Sequence, residues 1–193
     1  MGIKLVAGLG NPGAEYANTR HNAGYQVVDE LAGRLHATYW KQQCGCLVAQ
    51  VSCEASPEGQ IILAKPQSFM NECGGPLKRL LAQYRVTPAE LLVVHDELEL
   101  PAGEVRFKQG GGHAGHNGLR SLIEKTASRD FSRVRMGIGR PPGRMDPAAY
   151  VLQPLRSRDA EDFAVEVALG ADIAVYAVEH GAEKALRAYG GKR

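Results

Sequence analysis

The sequence predicts one α/β domain with helices on both faces of a twisted, mixed β-sheet. Short apolar segments typical of strands alternate along the chain with segments of helical periodicity, and this order is characteristic of layered α/β folds. The 193 residues are 44% hydrophobic and 23% charged, an ordinary composition for a globular protein with a substantial core. We find neither an internal repeat nor a linker, so we expect a single domain over residues 1–193.

The first half of the chain contributes three predicted strands and two predicted helices. Lys4–Leu9 is short and apolar and ends in Gly-Asn-Pro-Gly, which predicts a buried strand closed by a turn. Apolar residues at helical spacing then predict a helix over about residues 21–35. Strands are expected at Leu47–Val51 and Ile61–Ala64. A helix is expected from Gly75-Pro76 to about Tyr84, because proline is tolerated in a first helical turn.

The second half begins with Leu91–Val94, which is fully apolar and predicts another buried strand, followed directly by polar residues. The remaining predicted elements are a short strand at Val105–Phe107, a helix at Leu119–Thr126, a strand at Val134–Ile138 and two helices between Asp159 and Tyr189 that break near Gly181.

Composition disfavours several classes of protein. The chain lacks the run of about 18 apolar residues that a membrane-spanning helix needs, so we expect no membrane association. The N-terminal segment is too short and too rich in glycine for a secretory signal, which favours a cytoplasmic location. Four cysteines are too few for a disulfide scaffold of this length, and we expect reduced thiols that serve packing.

Charge is unevenly distributed along a chain whose formal net charge is only +2. Residues 106–144 contain nine Lys or Arg and two Asp or Glu, whereas residues 86–105 contain five acidic residues and no basic one. A basic region in a nearly neutral protein indicates a polyanionic partner bound on one face. A solvated helix face would give the same pattern, and charge alone does not decide between the two readings.

Gly8–Gly13 matches the dinucleotide-binding fingerprint Gly-x-Gly-x-x-Gly and follows a predicted strand. That fingerprint requires a helix that opens at once, so that its N-terminus can hold a pyrophosphate. Residues 14–20 lack the apolar stripe of such a helix. We therefore reject a dinucleotide site and expect the glycines to form a tight turn that exposes Asn11.

His21 and Asp96 are the predicted catalytic pair. His21 lies where the loop after the first strand meets a helical pattern, and Asp96 follows a buried strand. The carboxyl ends of strands in an α/β sheet meet at one edge, so we expect these two side chains to lie close together. A carboxylate that accepts from one imidazole nitrogen leaves the other nitrogen to take a proton from water. Alternation along the strand points His95 and Glu97 away from Asp96.

A second loop at a strand end, residues 65–71, carries Phe69, Met70 and Asn71. The Asn71 amide is suited to donate to a developing oxyanion, and Phe69 and Met70 offer apolar surface to a substrate. The alternative is a turn asparagine beside two core residues, which this loop alone would favour.

The glycine-rich loop at residues 110–118 contains His113 and His116, whose spacing raises the alternative of a zinc site with Asp96 as a further ligand. Two histidines three residues apart in such a loop form a poor preset cage, so we expect no metal and no cofactor. Glycines flanked by basic residues are better suited to the close approach of a backbone or a phosphate.

Four segments carry a resemblance that extends over essentially the whole chain. They are GLGNPGAEYANTRHNAGY at residues 8–25, KPQSFMN at 65–71, VVHDELELPAGEVRFKQGGGHAGHNGLRS at 93–121 and FSRVRMGIGRP at 131–141. In this order and spacing they resemble the bacterial peptidyl-tRNA hydrolases. The resemblance implies a single three-layer α/β/α domain with a twisted mixed central sheet, usually monomeric. It also implies cleavage of the ester between a peptide and tRNA, with contacts to the 3′ end and acceptor arm.

The resemblance implies roles for individual residues as well. His21 matches the family's catalytic histidine and Asp96 the carboxylate that keeps it basic, while Asn11 matches the asparagine that separates N-blocked from free aminoacyl-tRNA. The implied substrate contacts are Tyr16, Phe69, Met70, Asn71, His116 and Asn117, and the implied tRNA contacts are Arg106, Lys108 and Arg135. The chain departs from the family at Ala114, where glycine is usual, and at Cys73, where a small hydroxyl residue is common.

The sequence therefore predicts a metal-independent ester hydrolase in which His21 activates water and Asn71 steadies the intermediate. No Gly-x-Ser-x-Gly elbow is present, which disfavours a covalent mechanism. Two alternatives stay open: a non-catalytic RNA-binding module that uses the same basic face, and a general peptidase or esterase, against which the basic segment argues.

Overall fold

The alternating apolar segments become the strands of one sheet in a computed structural model that describes residues 2–56 and 58–191. The strands are β1 (Leu5–Gly8), β2 (Lys41–Gln43), β3 (Cys46–Ser52), β4 (Gln60–Pro66), β5 (Leu91–Glu97), β6 (Val105–Gln109) and β7 (Ser132–Gly137). Their order across the sheet is β2-β3-β4-β1-β5-β7-β6. β1 pairs in parallel with β4 and β5, and β5 with β7, whereas the β2–β3, β3–β4 and β6–β7 pairs are antiparallel.

Helices cover both faces of this sheet. They are α1 (Ala23–Arg34), α2 (Gly74–Tyr84), α3 (Asn117–Thr126), α4 (Pro147–Val151), α5 (Ser157–His180) and α6 (Ala182–Tyr189). Side chains of α1 and α5 form one apolar core with the sheet, and side chains of α2 and α3 form the other. The single α/β domain with a mixed sheet between two helical layers, predicted from the sequence, is confirmed.

The N-terminus of α1 lies directly on the ends of β1 and β5, and two glycines permit this approach. A Cβ at Gly24 would lie 2.3 Å from the backbone nitrogen of Leu9 and from the carbonyl oxygen of Val94. A Cβ at Gly8 would lie 2.2 Å from the carbonyl oxygen of Gly24. No other residue fits at these distances, so the two glycines fix where α1 begins, and His21 lies immediately before it.

The boundaries of two predicted elements were wrong in ways that matter for the site. The helix expected from residue 21 begins at Ala23, because Arg20–Asn22 form a separate 3₁₀ turn. The strand expected to end at Val94 continues to Glu97, because His95, Asp96 and Glu97 extend the ladder with β7. Asp96 is therefore a strand residue, which fixes its backbone more firmly than a loop would.

Two elements, β2 and α4, were not predicted. β2 has the sequence Lys-Gln-Gln, which shows no apolar alternation, and α4 spans only five residues. In addition, α5 begins two residues before the predicted start at Asp159. Across the described residues, none of the helices is both long and apolar enough to cross a membrane.

Candidate active site

The loops after β1, β4 and β5 meet the N-terminus of α3 around a cleft of about 710 Å³. This edge of the sheet is where parallel strands of an α/β fold present their carboxyl ends. The predicted residues that line the cleft are Asn11, Tyr16, His21, Phe69, Met70, Asn71, Asp96, His116 and Asn117. Residues up to 106 positions apart in the chain, Asn11 and Asn117, thus converge on one site.

His21 and Asp96 lie side by side at the base of the cleft. The Nδ1 atom of His21 is 2.9 Å from Oδ2 and 3.0 Å from Oδ1 of Asp96. Both residues are buried, and the pairing makes Nδ1 the donor to the carboxylate. Within the described residues Nε2 of His21 makes no hydrogen bond, so it is the nitrogen left to accept a proton. The predicted proximity of these two side chains is therefore observed.

Burial and charge act in opposite directions on this pair. Burial by itself lowers the pKa of His21, but the charge and hydrogen bond of Asp96 outweigh it and raise that pKa above its ordinary value. Burial by itself raises the pKa of Asp96, but its interactions with His21 and His116 hold that pKa well below its usual range. Asp96 is thus ionised at neutral pH.

His116 is a second imidazole on the same carboxylate, whereas the sequence placed it among the residues lining the cleft and, in the rejected zinc alternative, beside Asp96. Its Nε2 lies 2.8 Å from Oδ1 of Asp96. Its Nδ1 accepts hydrogen bonds from the backbone nitrogens of Gly118, at 3.1 Å, and Leu119, at 3.3 Å. The side chain therefore caps the N-terminus of α3 while it contacts Asp96. No sequence signal indicated this, since histidine is not a preferred N-cap residue.

His95 packs behind His116 in the core. The centres of the two rings are 5.1 Å apart in a T-shaped arrangement, and Nδ1 of His95 donates to the backbone oxygen of Asp96 at 2.7 Å. Burial lowers the pKa of His95 well below its ordinary value, so this ring is neutral.

Asn11 is held in one orientation by two neighbours. Its Oδ1 accepts from the backbone nitrogen of Met70 at 2.7 Å. Its backbone nitrogen donates to Oδ1 of Asn22 at 2.9 Å, and its backbone oxygen accepts from Nδ2 of Asn22 at 3.0 Å. This leaves the Asn11 amide nitrogen as the group that can face a substrate, a donor and not an acceptor. Asn22 was not among the residues predicted from the sequence.

The other predicted contacts form the rim of the cleft. Phe69 is 54% exposed and meets Tyr16 edge to face, with ring centres 6.3 Å apart. Asn71 and Asn117 are exposed, whereas Met70 is buried. Met70 thus belongs to the core at the base of the cleft, whereas Phe69 is not a core residue, so the alternative of two core residues in this loop holds for Met70 alone.

α4 supplies a wall of the cleft that sequence reasoning missed. The residues of this segment that line the cleft are Asp146, Pro147, Ala148, Val151 and Leu152. The Asp146 carboxylate accepts from the backbone nitrogen of Ala148 as the N-cap of α4. An acidic residue followed by proline is a recognised helix-start signal, so Asp146-Pro147 was the signal that could have located α4.

Arg106, Lys108 and Arg135 lie outside the cleft lining, on the adjacent strands β6 and β7. Arg106 faces Arg135 across the ladder. Both are paired with acids, Arg106 with Glu104 and Arg135 with Glu97. Lys108 makes no salt bridge within the described part of the chain, and burial together with Arg135 and Arg133 lowers its pKa. Like charges opposed across a ladder repel each other and are destabilising.

Arg133, which no sequence reasoning singled out, anchors the glycine loop. It is buried, faces Lys108 across the β6–β7 ladder, and donates to the backbone oxygens of Gly111 and Gly112. Burial lowers its pKa to about 10. These hydrogen bonds hold the glycine-rich loop against β7.

His21, Asp96 and His116 also form the one cluster of three potential metal-ligating atoms found among residues 2–56 and 58–191. Direct hydrogen bonds between these side chains already account for their closeness. His113, the partner considered for a zinc site, is outside this cluster, and its Nδ1 accepts from the backbone nitrogen of Gly115. The four cysteines are free, and burial raises the pKa of both Cys46 and Cys73 to about 12.

A histidine oriented by a buried carboxylate beside an open cleft, at the strand ends of an α/β/α fold, is typical of hydrolases that activate water with an imidazole. Comparison with known proteins makes the class specific. The sequence profile of the family described as Peptidyl-tRNA hydrolase matches residues 5–193. The chain therefore belongs to the peptidyl-tRNA hydrolase family, as its motifs implied.

Relatives in that family match the chain along nearly its whole length. Peptidyl-tRNA hydrolase of Kineococcus radiotolerans is 46% identical over 189 residues, with 96% of each chain covered. Peptidyl-tRNA hydrolase of Mycobacterium tuberculosis is 45% identical over 181 residues, with 94% of each covered. The crystal structure of peptidyl-tRNA hydrolase from Acinetobacter baumannii matches with a TM-score of 0.87 at 33% identity, covering 97% of this chain and 95% of that one.

Proposed function

We propose that this protein hydrolyses the ester bond between a peptide and tRNA, and so releases free tRNA for reuse. The observation that carries the proposal is the buried His21–Asp96 pair at the base of the cleft, in a chain of the peptidyl-tRNA hydrolase family. The reaction needs a base for water, a place for the developing oxyanion and a surface for RNA.

His21 is the proposed base. Its Nδ1 is held by Asp96, and Nε2 accepts a proton from the attacking water while Asp96 stabilises the imidazolium that results. An ester is an activated acyl group. General base catalysis of about 10²–10⁴-fold, combined with positioning of the substrate, therefore accelerates its hydrolysis sufficiently without a covalent intermediate. The proton then passes from His21 to the leaving 3′ oxygen of the tRNA.

Asn71 is the proposed partner of the oxyanion. It lies exposed in the cleft lining beside the aromatic pair of Phe69 and Tyr16. Its amide can donate to the carbonyl oxygen as negative charge develops there, and the rings can hold the adjacent side chain or terminal base.

Asn11 gives a physical reason for selecting N-blocked substrates. Because its Oδ1 is occupied by the backbone of Met70, Asn11 offers the cleft only N–H groups. A peptide carbonyl accepts from such a donor, whereas a free α-ammonium group is itself a donor and a cation. Free aminoacyl-tRNA would therefore leave the donor unpaired and be hydrolysed far more slowly.

Arg106, Lys108 and Arg135 are the proposed phosphate contacts for the acceptor arm. Two of the three are already paired with Glu104 and Glu97, so phosphate binding there requires exchange of the acidic partner. Contacts of this kind supply affinity that falls with salt and reads no base sequence. A monomeric state and a cytoplasmic location stay predictions that belong to the same proposal.

The test is hydrolysis of purified N-acetyl-aminoacyl-tRNA and free aminoacyl-tRNA of the same identity, each with a chelator present. We expect rapid turnover of the blocked substrate, little of the free one, and loss of turnover in His21→Ala by about 10²-fold or more. Binding of tRNA by His21→Ala should remain within about two-fold of wild type, because phosphate contacts carry the affinity.

Tight tRNA binding without turnover of the blocked substrate would instead support the RNA-binding module. Substantial hydrolysis by His21→Ala would remove that residue from its proposed role and require another base.

A further inference from the structure

Asp96 accepts hydrogen bonds from two imidazoles, and only one of them belongs to the proposed base. His21 donates through Nδ1 at 2.9 Å, and His116 approaches Oδ1 through Nε2 at 2.8 Å. The two rings are 5.2 Å apart between centres. A carboxylate shared in this way divides its acceptor capacity between a reacting group and a group that does not react.

The protonation state of His116 follows from its other nitrogen. Nδ1 faces the backbone N–H groups of Gly118 and Leu119, which can only donate, so Nδ1 must present a lone pair. A proton at Nδ1 would meet two N–H groups and the positive end of the dipole of α3. The single ring proton is therefore on Nε2, and this N–H group donates a hydrogen bond to Asp96. With one ring proton, His116 is neutral.

We propose that His116 is a positioning residue which, as a neutral imidazole held by the N-terminus of α3, donates a second hydrogen bond to Asp96 and thereby limits how strongly that carboxylate retains a proton on His21. This inference rests on the proposed role of His21 as the base. It goes further by assigning His116 a task that does not require contact with substrate.

The need for such a residue follows from the chemistry of a general base. A buried carboxylate stabilises the imidazolium, and a base that holds its proton too firmly at neutral pH cannot accept one from water. An N–H donor to the carboxylate stabilises its negative charge independently of His21, so the carboxylate attracts the imidazole proton less strongly. The donor also fixes the plane of the carboxylate toward Nδ1 of His21.

Other ionisable groups around the pair do not supply this donor. The ionisable groups that face Asp96 or lie near it are His21 from the turn before α1, His116 at the N-cap of α3, His95 and Glu97 from β5, Arg133 from β7 and Arg120 in the cleft lining. The ring nitrogen of His95 donates to the backbone oxygen of Asp96, and Glu97 is paired with Arg135. Arg133 is engaged with Gly111 and Gly112.

Two substitutions distinguish the hydrogen bond that His116 donates to Asp96 from the cap that it forms on α3. Asparagine places an amide oxygen near the position of Nδ1, so His116→Asn keeps an acceptor for the N-terminus of α3 but loses the donor to Asp96. Glutamine places an amide nitrogen near the position of Nε2, so His116→Gln keeps the donor to Asp96 but loses the cap.

The experiment measures kcat/KM for N-acetyl-aminoacyl-tRNA as a function of pH, together with the Tm of each variant. For His116→Asn we expect the acidic limb of the profile to move to higher pH, with Tm close to wild type. For His116→Gln we expect the acidic limb to stay at the wild-type position, whatever the maximal rate, and Tm to fall by about 2–4 °C because the cap is lost. His113→Asn, in the same loop and outside the cleft lining, serves as the control that should leave the limb in place.

The inference is overturned if both variants at position 116 share one acidic limb while His21→Ala is inactive, because a merely structural His116 would act through folding alone. If His21→Ala retains hydrolysis, the proposed mechanism fails and the inference fails with it. A limb that moves in His116→Asn but not in His116→Gln supports both.

Discussion

At the scale of single residues, the central feature is a negative charge that is almost completely withdrawn from water. Asp96 is 2% exposed, yet two imidazole N–H groups and its place in β5 keep it ionised. Because leaving a buried charge with no partner at all costs several kcal/mol, at least one of the two imidazoles is needed for stability as well as for chemistry. Catalytic geometry and stability are therefore coupled at this position.

Asp96→Asn isolates the contribution of that charge to His21. The carboxylate raises the pKa of His21 against the opposing effect of burial, so removing the charge leaves burial to act alone. We expect the pKa of His21 to fall below its ordinary value, and the acidic limb of kcat/KM to move to lower pH, with a large loss of kcat. Titration of the His21 imidazole by NMR in wild type and variant measures the shift directly. An unchanged pKa of His21 would show that Asp96 does not control the base.

The shifted pKa values of His21 and Asp96 also make the stability of the folded chain depend on pH. The pKa of His21 is higher in the folded chain than in the unfolded chain, so the pair contributes stability that is fully present below about pH 6.5 and is lost as pH rises through the folded value. The pKa of Asp96 is lower in the folded chain, so its contribution is present above about pH 4 and is lost as pH falls. The contribution of this pair to the free energy of unfolding is therefore largest between about pH 4 and about pH 6.5.

At the scale of elements, the position of α1 decides where His21 lies. Gly24 lets the helix rest on the backbone of Leu9 and Val94, and Gly33 occupies the same helix with nothing within 4 Å of a Cβ built on it. The two glycines therefore form a matched pair, one at a close contact and one in open space.

Gly24→Ala should lower the free energy of unfolding by about 1–3 kcal/mol, because a methyl group at a backbone contact forces α1 away from the sheet. It should also lower kcat, since His21 precedes the helix and would move with it. Gly33→Ala should raise the free energy of unfolding by about 0.5–1 kcal/mol and leave kcat unchanged, because alanine favours a helix interior. Urea denaturation and steady-state rates check both. Equal effects of the two substitutions would argue against the contact as the determinant of the site.

The sequence predicted these elements well where an apolar pattern marked them and poorly where a hydrogen bond decided the outcome. β1, β5 and α1 were found because their apolar residues recur at the spacing of a buried strand or helix. The end of β5 was misplaced because His95 and Asp96 are polar, and polarity at a buried strand end is indistinguishable from a loop in sequence. The bond from His116 to Asp96 was invisible for a similar reason, since it depends on how α3 is seated rather than on spacing.

At the scale of the whole molecule, the basic residues are separated from the cleft that holds the His21–Asp96 pair. The cleft lies at the ends of the parallel strands, while the basic residues lie along β6 and β7 at one side of the sheet. A substrate that uses both must extend from the cleft across these strands, as a nucleic acid joined to a small acyl group does. This arrangement argues against a general esterase, which would need the cleft alone.

Lys108→Ala tests whether these strands bind RNA. Because Lys108 has no acidic partner within the described residues, we expect KM for peptidyl-tRNA to rise by about 3–10-fold and the slope of log KM against log salt to fall by about one unit. KM for a short peptidyl-nucleotide should stay within about two-fold of wild type, as it does not reach the strands. Lys78→Ala on the exposed side of α2 makes the same change in charge and serves as the control. A similar rise in KM for both substrates would exclude a phosphate contact at Lys108.

The order of the strands has one more consequence, which concerns neighbouring copies of the protein rather than its substrate. The outermost strands are β2, which is three polar residues long, and β6, which carries Arg106 and Lys108. An open strand border invites another chain to add to it, and short length and positive charge both oppose such addition. The side chains of Arg106 and Lys108 thus also oppose edge-to-edge aggregation, and replacing both with valine or isoleucine should promote association of copies through β6 at high concentration.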